Sequence, residues 1–200
     1  MSSKSVRLSI AAIFLSASAT IPAGAQAVPD VRGPHLGAAI NATSIKFDET
    51  AFSSDERENG YGATLYAGYN FTRNLGLTLG VTGSNINDSG TEDFSVAHVD
   101  LAGRASFPGR SALVPYIEVS LAGIGAEYDS EGGKVKFEGG GVGIGGGLNY
   151  FFSRSVAFDA NFRYTAGEFS KVKIAGREVD IGDGVGFNTT RLNLGLAFYP

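Results

Sequence analysis

The chain has 200 residues, 29 of them glycine and none cysteine, and a net charge of −4. The lack of cysteine excludes a disulfide scaffold and thiol chemistry, and the acidic balance argues against nucleic acid as a partner. Abundant glycine without a period of three favours strands and tight turns over helices.

The first segment is MSSKSVRLSIAAIFLSASATIPAGAQAVPD. Lys4 and Arg7 precede a mostly apolar run from Leu8 to Leu15, and the small-residue sites Ala23-Gly-Ala25 and Ala25-Gln-Ala27 follow. A basic start, a short apolar core and a small-residue cleavage site together make a secretory signal peptide. The run is far shorter than the roughly 20 residues a spanning helix needs. We therefore expect a signal at 1–25 and one domain at 26–200. Losing Lys4 and Arg7 takes the net charge from −4 to −6.

Eight segments with apolar residues at every second position come next: 35–43, 61–71, 75–82, 95–107, 113–123, 141–151, 155–165 and 190–198. The seventh, SVAFDANFRYT, is representative. Val156, Phe158, Ala160, Phe162 and Tyr164 share one face, while Asp159 and Arg163 lie on the other. Strict alternation of this kind predicts strands.

The connections alternate as well. Short turns follow the second, fourth and sixth segments: TRN, PGRS and FSRS, each with one arginine (Arg73, Arg110, Arg154). Polar stretches read as long loops follow the first, third, fifth and seventh. Eight such strands, with short turns at one end and long loops at the other, predict an all-β, eight-stranded antiparallel up-and-down transmembrane β-barrel. With no helical candidate, a closed barrel is the remaining way to satisfy every backbone hydrogen bond within a bilayer.

The two faces sort as a membrane requires. The apolar face holds no Asp, Glu, Lys or Arg in any window, and bears Tyr69, Phe71, Phe107, Tyr150 and Phe198 near its ends. A soluble ligand-binding barrel would turn its large apolar residues inward. Here the opposite face is small and polar, so it faces the lumen. Its charges balance: Asp100, Glu118 and Asp159 against Arg104, Arg163 and Arg191. Eight strands leave an interior that side chains just fill, and buried charge requires a partner. These six residues are therefore expected to form a cross-lumen network that plugs the barrel.

The chain also resembles a known family. Gly68-Tyr69-Asn70-Phe71 before a tight turn, Pro115-Tyr116, Leu148-Asn149-Tyr150-Phe151, the stretch VAFDANFRYT and the ending NLGLAFYP are similar to the small OmpA-like outer-membrane barrels, OmpX and Ail relatives included. The likeness implies residence in the outer membrane of a Gram-negative bacterium, with outer-membrane lipid and lipopolysaccharide as neighbours. It also implies an assembly signal at Asn193, Gly195 and Phe198, recognised by the barrel-assembly machinery. Pro200 stands where the family usually ends on an aromatic. Because the sequence stops at the barrel, no peptidoglycan-binding activity is carried over from longer members.

Other chemistry is thinly supported. Gly141-Val-Gly143-Ile-Gly145-Gly146 satisfies a dinucleotide-binding pattern but is followed by no helix. His98, Asp100 and Ser120 share the inward face, so a Ser–His–Asp lipid A hydrolase is a competing reading. Asp129, Glu131 and Glu138, or Asp180 and Asp183, are possible weak calcium ligands. No cofactor and no catalytic or metal residue is assigned. The expected role is structural: envelope integrity, and loop contacts with lipopolysaccharide or an extracellular protein or surface ligand. Acidic loop residues such as Asp48, Glu49, Asp55, Glu56, Asp88, Glu92 and Asp93 suggest cation bridging to lipopolysaccharide phosphates, with Lys171, Lys173 and Arg177 contacting phosphate directly. A narrow channel for small solutes is the alternative, and the lipid A enzyme the second.

Overall fold

A computed structural model describes residues 29–47, 57–87, 94–130, 133–174 and 177–200. Eight strands form: β1 (Gly33–Phe47), β2 (Glu58–Asn70), β3 (Leu75–Asn87), β4 (Phe94–Ser106), β5 (Leu113–Ser130), β6 (Gly133–Phe151), β7 (Val156–Ile174) and β8 (Arg177–Phe198). Each pairs antiparallel with its sequence neighbours, and β1 pairs with β8, closing the barrel. One rung runs from Leu36 through Ala67, Leu79, Leu101, Leu121, Val142, Ala166 and Asn188. It returns to β1 at Lys46, ten residues beyond its start (46 − 36). That stagger tilts the strands steeply against the barrel axis, as closure of a narrow barrel demands.

The wall is inverted relative to a soluble protein. Ile40, Leu65, Val119, Leu121, Val142 and Ile144 are each more than 60 % exposed, whereas Asp100, Arg104, Glu118, Asp159 and Arg191 are at most 5 % exposed. Each of the eight predicted windows falls on its own strand, with Phe71, Phe107 and Ser155 one residue beyond a strand end. The turns after β2, β4 and β6 are short, as expected. Both faces follow the predicted alternation.

Two expectations are corrected. The stretches EYDSEGGKVKFEGG and AGEFSKVKIAGREVDIGDG, read as loops, are mostly strand: β5 continues to Ser130, β6 starts at Gly133, and β7 and β8 reach Ile174 and Arg177. They hold together because Tyr128, Phe137 and Phe169 turn inward while Lys136, Glu138 and Lys171 take alternate positions. Register shifts at Glu138/Gly139 and Phe169/Lys171 mark where this extension leaves the closed wall.

Nor is the interior polar throughout. At the long-loop end Ile45, Ile86, Phe94, Val96, Ile124, Phe169 and Phe187 form a buried apolar cluster. At the short-turn end Val31, Ala112, Val114, Phe151, Ala157, Ala197 and Tyr199 form another. The lumen therefore has three layers: apolar, charged, apolar. The predicted signal at 1–25 and the acidic residues of 48–56 and 88–93 lie outside the described residues, as does Glu131.

Candidate functional site

Period-two alternation delivers the lumen residues. Asp100 and Arg104 on β4, Glu118 on β5, Asp159 and Arg163 on β7 and Arg191 on β8 occupy inward positions of long strands. Arg191 reaches Asp100 across the barrel with two bonds, Nη1 to Oδ2 at 2.6 Å and Nη2 to Oδ1 at 2.8 Å. Because β4 and β8 are on opposite walls, that pair spans the diameter. Arg163 lies between the two carboxylates, 3.2 Å from Asp100 and 2.6 Å from Glu118. Arg104 donates to Glu118 Oε1 through Nε at 2.8 Å, with Nη2 at 2.7 Å from the same oxygen. Five charged side chains thus form one continuous chain: Arg191, Asp100, Arg163, Glu118, Arg104.

Asp159 is held differently. Its carboxylate accepts from the Tyr116 hydroxyl at 2.7 Å and the Tyr66 hydroxyl at 2.8 Å. Arg104 sits 4.0 Å above the Tyr116 ring centroid, linking this group to the charged chain. Asp159 and Arg163, four residues apart on one face, therefore choose different partners.

Sequence reasoning missed Tyr66 and Tyr116 as lumen residues. The signal was present in the register. Gly37 faces Tyr66 and Gly147 faces Tyr116 across strand pairs, and a Cβ on either glycine would collide with the tyrosine ring. An inward aromatic opposite an inward glycine fills the space that glycine vacates.

Around the charges, neutral groups complete the filling. Thr64 bridges Thr82 at 2.9 Å and Asn193 at 2.8 Å, and Asn193 donates to Asn161 at 3.2 Å. Asn161 in turn donates to Glu118 at 3.2 Å. Among these residues lies a cavity of about 30 Å³, room for about one or two waters.

At the short-turn end Tyr199 stacks on His35 with ring centroids 5.4 Å apart and accepts from Asn149 at 3.2 Å. Outside the membrane span, Arg32 bonds Asp30 and holds its carboxyl below the usual range.

The hydrolase grouping is not assembled. His98 is fully buried and neither ring nitrogen has a hydrogen-bond partner, and the Ser120 hydroxyl has none. Glu138 is engaged by Lys173 at 2.9 Å. Among the described residues no group of three potential ligands is placed to hold a metal. The side chains of Asp129, Arg177, Asp180 and Asp183 lie outside the described set.

Of the expected assembly signal, Phe198 faces outward, Asn193 points into the lumen, and Gly195 lies against the backbone of Ala38 and Ala39. Tyr199, the chain's last aromatic, packs inside the barrel.

A family model described as the outer membrane protein beta-barrel domain matches residues 11–198. The chain belongs to that family. This outer-membrane β-barrel protein is similar in fold to Neisserial surface protein A, with a TM-score of 0.66 and 19 % identity over 84 % of this chain and 97 % of that one. Ail of Yersinia pestis gives 0.53 and 16 % over 84 % and 99 %. OprG of Pseudomonas aeruginosa gives 0.54 and 14 % over 85 % and 97 %. No curated protein matches the sequence.

Proposed function

We propose that this outer-membrane barrel is a closed structural and surface-interaction protein whose lumen does not conduct. The observation that carries the reading is the unbroken chain Arg191–Asp100–Arg163–Glu118–Arg104, which crosses the lumen and leaves a cavity of only about 30 Å³. Apolar clusters above and below it add two further seals. An ion entering this lumen would have to displace paired charges and then cross a buried apolar layer, both costly steps.

In this reading residues 1–25 direct export and are cleaved, and the barrel-assembly machinery recognises Asn193, Gly195 and Phe198. The exposed long-loop end contacts lipopolysaccharide or an extracellular ligand, as rigidly mounted loops commonly do. The protein would support envelope integrity without catalysis.

Reconstitution into planar bilayers tests the proposal. Silence at moderate voltage is expected, alongside the gel-mobility change on heating that marks a folded barrel. Stable, porin-like current steps from the folded protein would overturn it.

A further inference from the structure

The outward face of β3–β6 has a gap. Ascending each strand, the large residues Val81, Val99, Leu121 and Val142 give way to smaller ones before the polar rim: Gly83, Ala97, Gly123 and Gly125, then Glu127, Lys136 and Glu138. The result is an external cavity of about 650 Å³ whose lining includes Gly83, Ala97, Val99, Gly123, Gly125 and Lys136.

The barrel's own packing does not require these glycines. A Cβ at Gly83 would meet nothing within 4 Å, and one at Gly123 only the Val99 carbonyl at 4.0 Å. At Gly125 the nearest atoms would be the Phe137 carbonyl at 3.8 Å and Lys136 Cε at 3.9 Å. Gly141, Gly167 and Gly195, by contrast, have backbone atoms where a Cβ would go. Bare backbone weakens a strand unless something approaches it closely. Gly103, lower on β4, is equally open, but it stands between Leu77 and Val119 and extends no trough.

We propose that this trough seats an acyl chain of one phosphorylated glycolipid of the outer leaflet, with the headgroup phosphate on Lys136. This rests on the proposed function, in which the long-loop end meets lipopolysaccharide, and it specifies the surface that does so. Position and chemistry argue for the occupant. The trough lies where the hydrocarbon-facing band ends, so the bilayer must fill it, and its volume falls in the range of small-molecule sites. Directly above, Lys136 lies 3.7 Å from Glu138, and Lys173 bonds the same carboxylate at 2.9 Å. Ammonium groups match phosphate, and interspersed carboxylates accept from sugar hydroxyls. A zwitterionic or simple anionic phospholipid offers few hydroxyls to those carboxylates.

The test uses the full mature protein in phospholipid nanodiscs, with purified lipopolysaccharide or phosphatidylglycerol added as probe and bound lipid counted by native mass spectrometry. The wild type is expected to retain one lipopolysaccharide, undisplaced by tenfold phosphatidylglycerol. Gly123→Leu/Gly125→Leu should lower that affinity at least tenfold and Lys136→Ala about fivefold, each keeping heat-modifiable mobility. Should the double variant misfold, Gly83→Val fills the same trough from β3. Equal retention by wild type and filled variants overturns the proposal, as does displacement by phosphatidylglycerol. Loss of a dimer in place of lipid would assign the trough to a second copy and equally overturn it. Conductance of the same protein preparations in planar bilayers keeps the two readings apart: a conducting wild type that still retains lipopolysaccharide retires the sealed lumen and leaves the trough.

Discussion

Arg191 and Asp100 face each other from opposite walls of the barrel and share two hydrogen bonds, 2.6 and 2.8 Å long. Both residues are at most 1 % exposed. Removing Arg191 takes both bonds from a buried carboxylate that keeps only Arg163, at 3.2 Å, and breaking a buried pair costs about 3–5 kcal/mol. Arg191→Gln should therefore lower unfolding stability in urea by that order, measured by tryptophan-free fluorescence of the tyrosines or by gel mobility. Asp100→Asn added to Arg191→Gln should recover part of the loss, because no uncompensated charge remains at the pair. A single variant within 1 kcal/mol of wild type would remove the pair from any account of lumen stability.

Arg163 connects Asp100 to Glu118, and its removal tests whether the seal depends on one layer. Arg163→Ala breaks the charged chain but leaves the apolar clusters at both ends intact. We expect a less stable barrel that stays electrically silent. Conductance from this variant alone would show that the charged layer is the only barrier.

The faces make a third prediction. Leu121 is 65 % exposed on the outward face, and its neighbour Ser120 is buried in the lumen. Leu121→Arg should cost about 2–4 kcal/mol in a bilayer, the penalty for arginine on the lipid side near mid-membrane. Refolding yield and urea midpoints in lipid vesicles provide the readout. A cost near zero would contradict the membrane exposure of that face.

Phe169 shows where sequence legibility ended. It is 1 % exposed and packs with Phe187 at 4.9 Å and Phe137 at 6.1 Å, in stretches whose lysines and glutamates make them read as loops. Inside the membrane band, alternation is strong because one face must be wholly uncharged, so all eight strands and both faces are legible. Above that band the outward face meets water and takes charges, and the same period is buried in a polar composition. Phe169→Ala should cost about 3–5 kcal/mol, the usual penalty for deleting a buried aromatic ring. An outward control, Phe162→Ala, should cost far less, since lipid replaces the ring. Comparable losses for both would refute the inner cluster.

The inward position of the lumen charges was legible for the same reason, but their pairing was not. Arg191 meets Asp100 from a strand 91 residues away in sequence, and Asp159 passes over nearby Arg163 for two tyrosines. Pairings of this kind are set by the stagger of the closed barrel, which no single strand encodes.

The end of β8 offers a test of packing against the proposed recognition. Gly195 lies where a Cβ would meet the backbone of Ala38 and Ala39 across the β1–β8 seam, so Gly195→Val should destabilise the barrel however it is folded. Phe198 instead projects outward, 42 % exposed, while Tyr199 is held inside against His35 and Phe151. If Phe198 is the hydrophobic element of the assembly signal, Phe198→Ser should slow insertion by purified assembly machinery several-fold. In pure lipid vesicles, where no receptor reads the sequence, its refolding rate should stay close to wild type. Tyr199→Phe should behave in the opposite way: normal assisted insertion, with a loss of about 1 kcal/mol for the bond from Asn149. Equal slowing of Phe198→Ser in both systems would assign that residue to packing alone.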